Sequence, residues 1–191
     1  HNHTDHALQQ IRRDYEGAHA MADGDVRLTD VPAVAALEPP LIPRDHIAAI
    51  AFTSGSTGEP MPHWKRWGSL VEGARLVQAR YGVTPQAGTL LVATVAPQHM
   101  FGLEASVMLP LTSGVTVHAG RPFFPADLQG VLGGAPEHRI LVTTPYHLGV
   151  LLQSGVTWPH VDLIISATAP MPQELAARAE SAFGARVMEI F

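Results

Sequence analysis

From Ile47 to Phe191 the chain repeats one alternation: a short, continuous run of apolar residues, then a segment with apolar residues at helical spacing. The runs are Ile47–Phe52, Leu90–Val95, Val115–His118, Ile140–Thr143, Leu163–Ser166 and Val187–Phe191. The helical patterns between them are Ser69–Arg80, Leu103–Leu111, Pro125–Leu132, Tyr146–Leu152 and Pro172–Phe183. Strands apolar along their whole length need cover on both faces, and strands separated by helices join in parallel. The predicted fold is therefore α/β, a mostly parallel sheet covered by helices. Ligands of such sheets bind beyond the carboxyl ends of the strands. The segments that follow the strands are thus the candidate site: Thr53–Gly58, Pro97–Gly102, Thr144–Tyr146 and Ala167–Pro170.

Residues 1–46 are different in kind. Residues 6–16 predict a short helix, and Ala22–Asp45 is a polar, Pro-rich connection with Glu38-Pro39-Pro40 and Ile42-Pro43. The predicted organisation is an N-terminal helix and connecting segment over 1–46, then a core over 47–191. With 191 residues and 46% hydrophobic content the chain can bury a substantial core. Twelve basic against 17 acidic residues give a net charge of −5, which leaves no basic stripe for nucleic acid. No run of about 18 apolar residues predicts a membrane span. The lack of cysteine excludes a disulfide framework, a thiolate metal site and a Cys nucleophile, and suits a cytoplasmic protein. His1, His3 and His6 read as a frayed terminus, and no His-x-x-x-His lies on a convincing helix, so no metal site is predicted.

The strongest local feature is Thr53-Ser54-Gly55-Ser56-Thr57-Gly58-Glu59-Pro60. Two glycines and several small hydroxyls allow backbone N–H groups to converge on one point, a nest suited to phosphate oxygens. As composition alone, the same string also fits a plain turn. It is neither a Walker A loop nor a Gly-x-Gly-x-x-Gly fingerprint. It also lacks the first glycine of a hydrolase Gly-x-Ser-x-Gly elbow.

Taken with its neighbours, the string resembles the phosphate-binding signature of the adenylate-forming superfamily: acyl- and aryl-CoA ligases, peptide-synthetase adenylation domains and luciferases. Pro97-Gln98-His99-Met100-Phe101-Gly102 is similar to that family's His-x-x-Gly region. Leu109–Val115 resembles its LPLxxGx stretch, and Pro145–Leu152 its PxxxxxLL helix. Ile165–Pro172 resembles the SGGAPLP segment, with Ser166-Ala167-Thr168 in place of the usual glycine pair. The resemblance covers about residues 47–191 and implies part of the large N-terminal domain of such an enzyme.

That resemblance implies ATP-dependent activation of an acyl or aryl carboxylic acid as its adenylate. Transfer to the thiol of CoA, or of phosphopantetheine on an acyl carrier protein, would follow. An inactive fragment or a non-catalytic nucleotide-binding domain is the alternative. Thr53, Ser54, Gly55, Ser56, Thr57 and Gly58 would hold phosphates. Ala167, Thr168, Ala169 and Pro170 would lie against adenine, with Phe191 stacked on its other face. His99 would border the carboxylate, or be an ordinary helix-preceding histidine. The family's lysine follows the loop proline directly; here Met61-Pro62-His63-Trp64 precede Lys65, the only lysine in the chain. Either a longer loop returns Lys65 to the phosphates as a catalytic charge, or Lys65 is a solvated surface residue. The family's magnesium carboxylate, ribose-binding Asp and C-terminal catalytic Lys have no counterpart among these residues. The chain therefore reads as a piece incomplete for turnover, with the Mg2+ ligand expected outside it.

Overall fold

The computed structural model describes residues 40–54, 60–84 and 88–190, together with Gln9, Arg13 and Asp14, which are helical. The rest of the predicted helix over 6–16 lies outside the described residues. The chain divides into two compact units, His1–Leu41 and Ile42–Phe191; the second carries the elements below.

A hairpin comes first, β1 (Ile47–Ser54) and β2 (Pro60–Arg66), followed by α1 (Trp67–Tyr81) and β3 (Leu90–Ala93). Helix α2 runs through three stretches, Met100–Gly102, Leu103–Met108 and Leu109–Ser113. Then come β4 (Thr116–Val117), α3 (Pro125–Gly134), β5 (Arg139–Thr143) and α4 (Pro145–Gln153). The described chain closes with β6 (Leu163–Ser166), α5 (Gln173–Phe183) and β7 (Arg186–Glu189). Five strands form one parallel sheet in the order β4-β3-β5-β6-β7.

The strands alternate sides with period two, and both sides are apolar. Leu91, Ala93, Ile140, Val142, Leu163 and Ile165 pack with Phe101, Ala105 and Leu109 of α2. Val92, Leu141 and Ile164 face the other way, onto Leu128 and Leu132 of α3, Leu148 and Leu151 of α4, and Ala179 and Phe183 of α5. Each such Leu or Ile stabilises by about 2 kcal/mol on full burial. Leu70 and Ala74 of α1 pack with Met108 of α2 in a third cluster, between the two helices.

One predicted strand behaves differently. Ile47–Phe52 was expected as a buried strand, whereas β1 is half-buried and pairs antiparallel with β2, apart from the five-stranded sheet. The stretch Met61–Trp64, expected as a longer loop, is the middle of β2. Pro60 and Pro62 hide it from a propensity reading. Proline is tolerated because each strand of a two-stranded hairpin keeps one edge free of ladder bonds. The last strand is also shorter than expected, ending at Glu189.

Helix α2 is wound wider over Leu103–Met108, where the Leu109 N–H reaches back to the Glu104 carbonyl. Pro110 explains the position: it brings no N–H for the Ser106 carbonyl one turn earlier, and its ring crowds that carbonyl. Gly102 explains how the helix sits. A Cβ there would stand 1.9 Å from the Ala96 carbonyl oxygen and 2.6 Å from its carbon, so only glycine lets the β3–α2 loop cross the helix.

At the amino ends of the strands, one guanidinium gathers loose chain ends. Arg139 donates to the carbonyls of Leu132 (2.9 Å), Ala135 (3.1 Å), Glu137 (3.3 Å) and His160 (3.1 Å). Asp162 accepts from the Arg139 N–H at 2.7 Å and lies 3.5 Å from His138 and 3.7 Å from His160. Burial by itself would raise the Asp162 pKa. The Arg139 N–H, the His138 hydrogen bond and the two imidazoles outweigh it and hold the carboxyl below the usual Asp value.

Two outcomes follow from this packing. Gly102→Ala lowers stability by about 3 kcal/mol or more, read by denaturant unfolding, because the contact is with backbone that cannot step aside. Asp162→Asn tests the carboxylate. A depressed folded pKa stabilises above the unfolded value, and that contribution is lost as pH falls through the folded one. The gap between wild type and Asp162→Asn is therefore largest near neutrality and closes in acid; a gap independent of pH would contradict the pairing.

Candidate active site

Strand order reverses between β3 and β5. The chain leaves β3 through α2 towards the edge strand β4, and leaves β5 through α4 towards β6 on the opposite side. The connections diverge and open a crevice at the carboxyl ends of the two strands. A cavity of about 570 Å³ lies there. Its walls are the β3–α2 connection (Thr94–Ala96, His99–Gly102), Arg121 and Phe123 between β4 and α3, Thr144, Tyr146 and His147 at the start of α4, and Thr168 after β6. A smaller cavity of about 250 Å³ lies at the amino ends and is bordered by Arg139 and Asp162, whose polar atoms already bond the chain.

His99 stands immediately before α2, its N–H on the Ala96 carbonyl (3.1 Å) and its own carbonyl accepting from Leu103 (2.8 Å). The close pass of Ala96 over Gly102 thus sets where His99 enters the cavity mouth. The His-x-x-Gly spacing has a physical cause here: the glycine makes room for the loop that presents the histidine.

A buried polar chain runs beneath the cavity. Thr94 Oγ1 donates to Thr143 Oγ1 at 2.9 Å, and Thr143 Oγ1 lies 3.4 Å from His147 Nδ1. His147 Nε2 is 2.8 Å from the Phe123 carbonyl. A carbonyl only accepts, which assigns the proton to Nε2 and leaves Nδ1 to accept from Thr143. Burial pushes the His147 pKa below the usual histidine value, partly offset by the Phe123 carbonyl. Thr144 caps α4 by accepting from the His147 N–H at 3.2 Å, and Pro145 occupies the first turn. His147 is a residue that sequence reasoning missed. The signal was the Thr144 cap and Pro145, which put His147 in the first turn, directly above the end of β5.

On the other side of the crevice, Ala167 is buried, whereas Thr168, Ala169 and Pro170 are exposed. Thr168 has φ of +83°, the one positive value outside glycine among the described residues. A β-branched residue there carries strain of about 1–3 kcal/mol. This is the position where the resemblance leads one to expect glycine. Glu189, which sequence reasoning missed, ties the segment down: its Oε1 accepts from the Met171 N–H at 2.8 Å. Its carbonyl accepts from the Tyr81 hydroxyl at 2.7 Å, and burial raises the Tyr81 pKa.

The structure brings His99 and Thr168 to one cavity. Thr53 and Ser54 end β1, with Ser54 paired to Pro60 at the base of the glycine loop. Gly55, Ser56, Thr57, Gly58 and Phe191 lie outside the described residues. Lys65 pairs with Ala49 in β2, half-buried. Five residues of strand, about 17 Å, separate it from Pro60. Among the described residues, no group of three or more His, Cys, Asp or Glu side chains is placed to hold a metal ion, and no helix is long and apolar enough to cross a membrane.

Relatives supply the context. A 4-coumarate–CoA ligase of Rhodobacter capsulatus is 30% identical over 127 residues, 66% of this chain and 32% of that protein. ATP-bound MatB from Rhodopseudomonas palustris superposes with a TM-score of 0.66 at 22% identity, over 81% of this chain and 30% of that one. A benzoate CoA ligase from Burkholderia xenovorans LB400 gives 0.65 at 18% identity, over 83% and 32%. The chain spans about a third of the length of these relatives. The fold is that of the N-terminal domains of adenylate-forming enzymes. The model of the family described as AMP-binding enzyme matches residues 4–191, so on sequence as well as fold the chain belongs to the AMP-binding enzyme family.

Proposed function

We propose that the protein containing this chain activates a carboxylic acid with ATP and passes the acyl group to a thiol. In the first step a carboxylate oxygen attacks the α-phosphorus, the bond from that phosphorus to the bridging oxygen breaks, and pyrophosphate leaves. In the second, a thiolate sulfur attacks the acyl carbonyl and AMP leaves. The observation that carries this reading is the single cavity at the strand-order reversal, lined by His99 on one side and Thr168 on the other.

Two anions must approach each other in the first step, so the protein's task is alignment and charge neutralisation more than proton transfer. Thr53, Ser54, Gly55, Ser56, Thr57 and Gly58 would hold the departing phosphates through backbone N–H groups and hydroxyls. Ala167, Thr168, Ala169 and Pro170 would lie along the adenine, with Phe191 opposite. His99 would border the carboxylate. Magnesium would neutralise the phosphate oxygens; no donor set for it is seen among the described residues, and no step above is routed through it. The acid is an aryl or apolar acyl acid in this reading, on the strength of Phe101, Phe123 and Tyr146 around the cavity. CoA is the proposed acceptor, with a carrier-protein thiol as the other candidate.

The whole protein is expected to catalyse carboxylate-dependent exchange of pyrophosphate into ATP. Tight nucleotide binding with no exchange across aliphatic and aromatic acids would favour a non-catalytic nucleotide-binding domain instead. On the reading that Lys65, five strand residues beyond Pro60, is a surface residue of β2, Lys65→Ala is expected to leave KM for ATP within about twofold. A tenfold rise, by about the same reasoning, would assign Lys65 to the phosphates.

A further inference from the structure

We propose that His147 is a positioning residue for the acid-binding wall, fixing the Phe123 ring and carbonyl so that the cavity keeps one shape. The inference rests on the proposed function and extends it to how the site holds its acid.

Phe123 belongs to the stretch between β4 and α3, outside any strand or helix. Phe123 is 54% exposed and Phe124 67%, and neither belongs to a core cluster. Phe124, itself exposed, meets the Phe123 ring edge-on with centroids 5.8 Å apart; the buried anchor of Phe123 is His147. The two rings stack with centroids 4.7 Å apart and planes 9° from parallel, and Nε2–H donates to the Phe123 carbonyl at 2.8 Å. His147 is itself 5% exposed and anchored through Thr143, the last residue of β5, to Thr94, the residue that follows β3. One polar chain therefore connects the two strands at the sheet's reversal to an otherwise loosely held aromatic wall.

The choice of residue supports this. A leucine would fill a buried first-turn position of α4 without a polar group to satisfy, whereas an imidazole is costly there unless both nitrogens find partners. Both do, and one partner is the wall of the cavity. The nucleotide side is secured independently, by Glu189 on the Met171 N–H. Loss of the His147 contact should therefore weaken the acid and spare ATP.

The test compares His147→Phe, which keeps a flat ring and loses the donor, with His147→Gln, which keeps a donor near the Nε2 position and does not titrate. In exchange assays on the whole protein, His147→Phe should raise KM for the acid about tenfold, with KM for ATP within about twofold and kcat little changed. His147→Gln should recover part of the loss. Amide exchange across residues 119–124 should quicken in His147→Phe and be partly restored in His147→Gln. Equal rises in both KM values, an unchanged acid KM, or unchanged amide exchange would overturn the assignment. A wild-type protein that activates no acid would overturn the proposed function alone, and the inference then stands or falls on the amide exchange.

Discussion

Burial of the parallel sheet on both faces is the constraint from which the rest of the structure descends. Leu91, Leu141, Ile164 and Ile165 are fully excluded from solvent, and they can be so only because α2 covers one face and α3, α4 and α5 the other. Helices on both sides require connections that leave the sheet in both directions. The connections must therefore diverge somewhere, and they diverge between β3 and β5. The cavity is a by-product of satisfying the core: its floor is the pair of strand ends where no connection crosses.

The walls of that cavity are fixed by separate local devices. Gly102 admits the Ala96 carbonyl and so sets the approach of His99. His147 holds the Phe123 wall, and Glu189 holds the segment around Thr168. None of the three depends on another for its partner, which lets one wall vary while the others persist. The strain stored at Thr168, a threonine with φ of +83°, belongs to the same picture, since neighbours must over-determine a conformation that is unfavourable by itself.

Much of this was legible in the sequence because it is set by short-range pattern. Ile140–Thr143 and Leu163–Ser166 were identifiable as strands from continuous apolar runs, and the helix after Pro172 from its spacing. The segments following β3 and β6 were identifiable as candidates from the strand rule alone, and His99–Gly102 and Thr168 do line the cavity. The β1–β2 hairpin was not: Pro60 and Pro62 lower strand propensity, and only the unpaired edges of a two-stranded ribbon make them acceptable. Nor were His147 and Glu189, whose partners Phe123 and Met171 lie 24 and 18 residues away in sequence. Contacts of that kind leave no periodic trace, so a buried histidine looks like any polar residue near a helix start.

In the proposed function, acid and nucleotide meet in the cavity at the β3/β5 reversal. A structure of the whole protein with a non-hydrolysable acyl-adenylate analogue tests it most directly. The acyl part is expected against Phe123 and His99, and the adenine along Ala167–Pro170. An analogue bound with its acyl part away from that cavity, or seated at the amino ends beside Asp162, would contradict it.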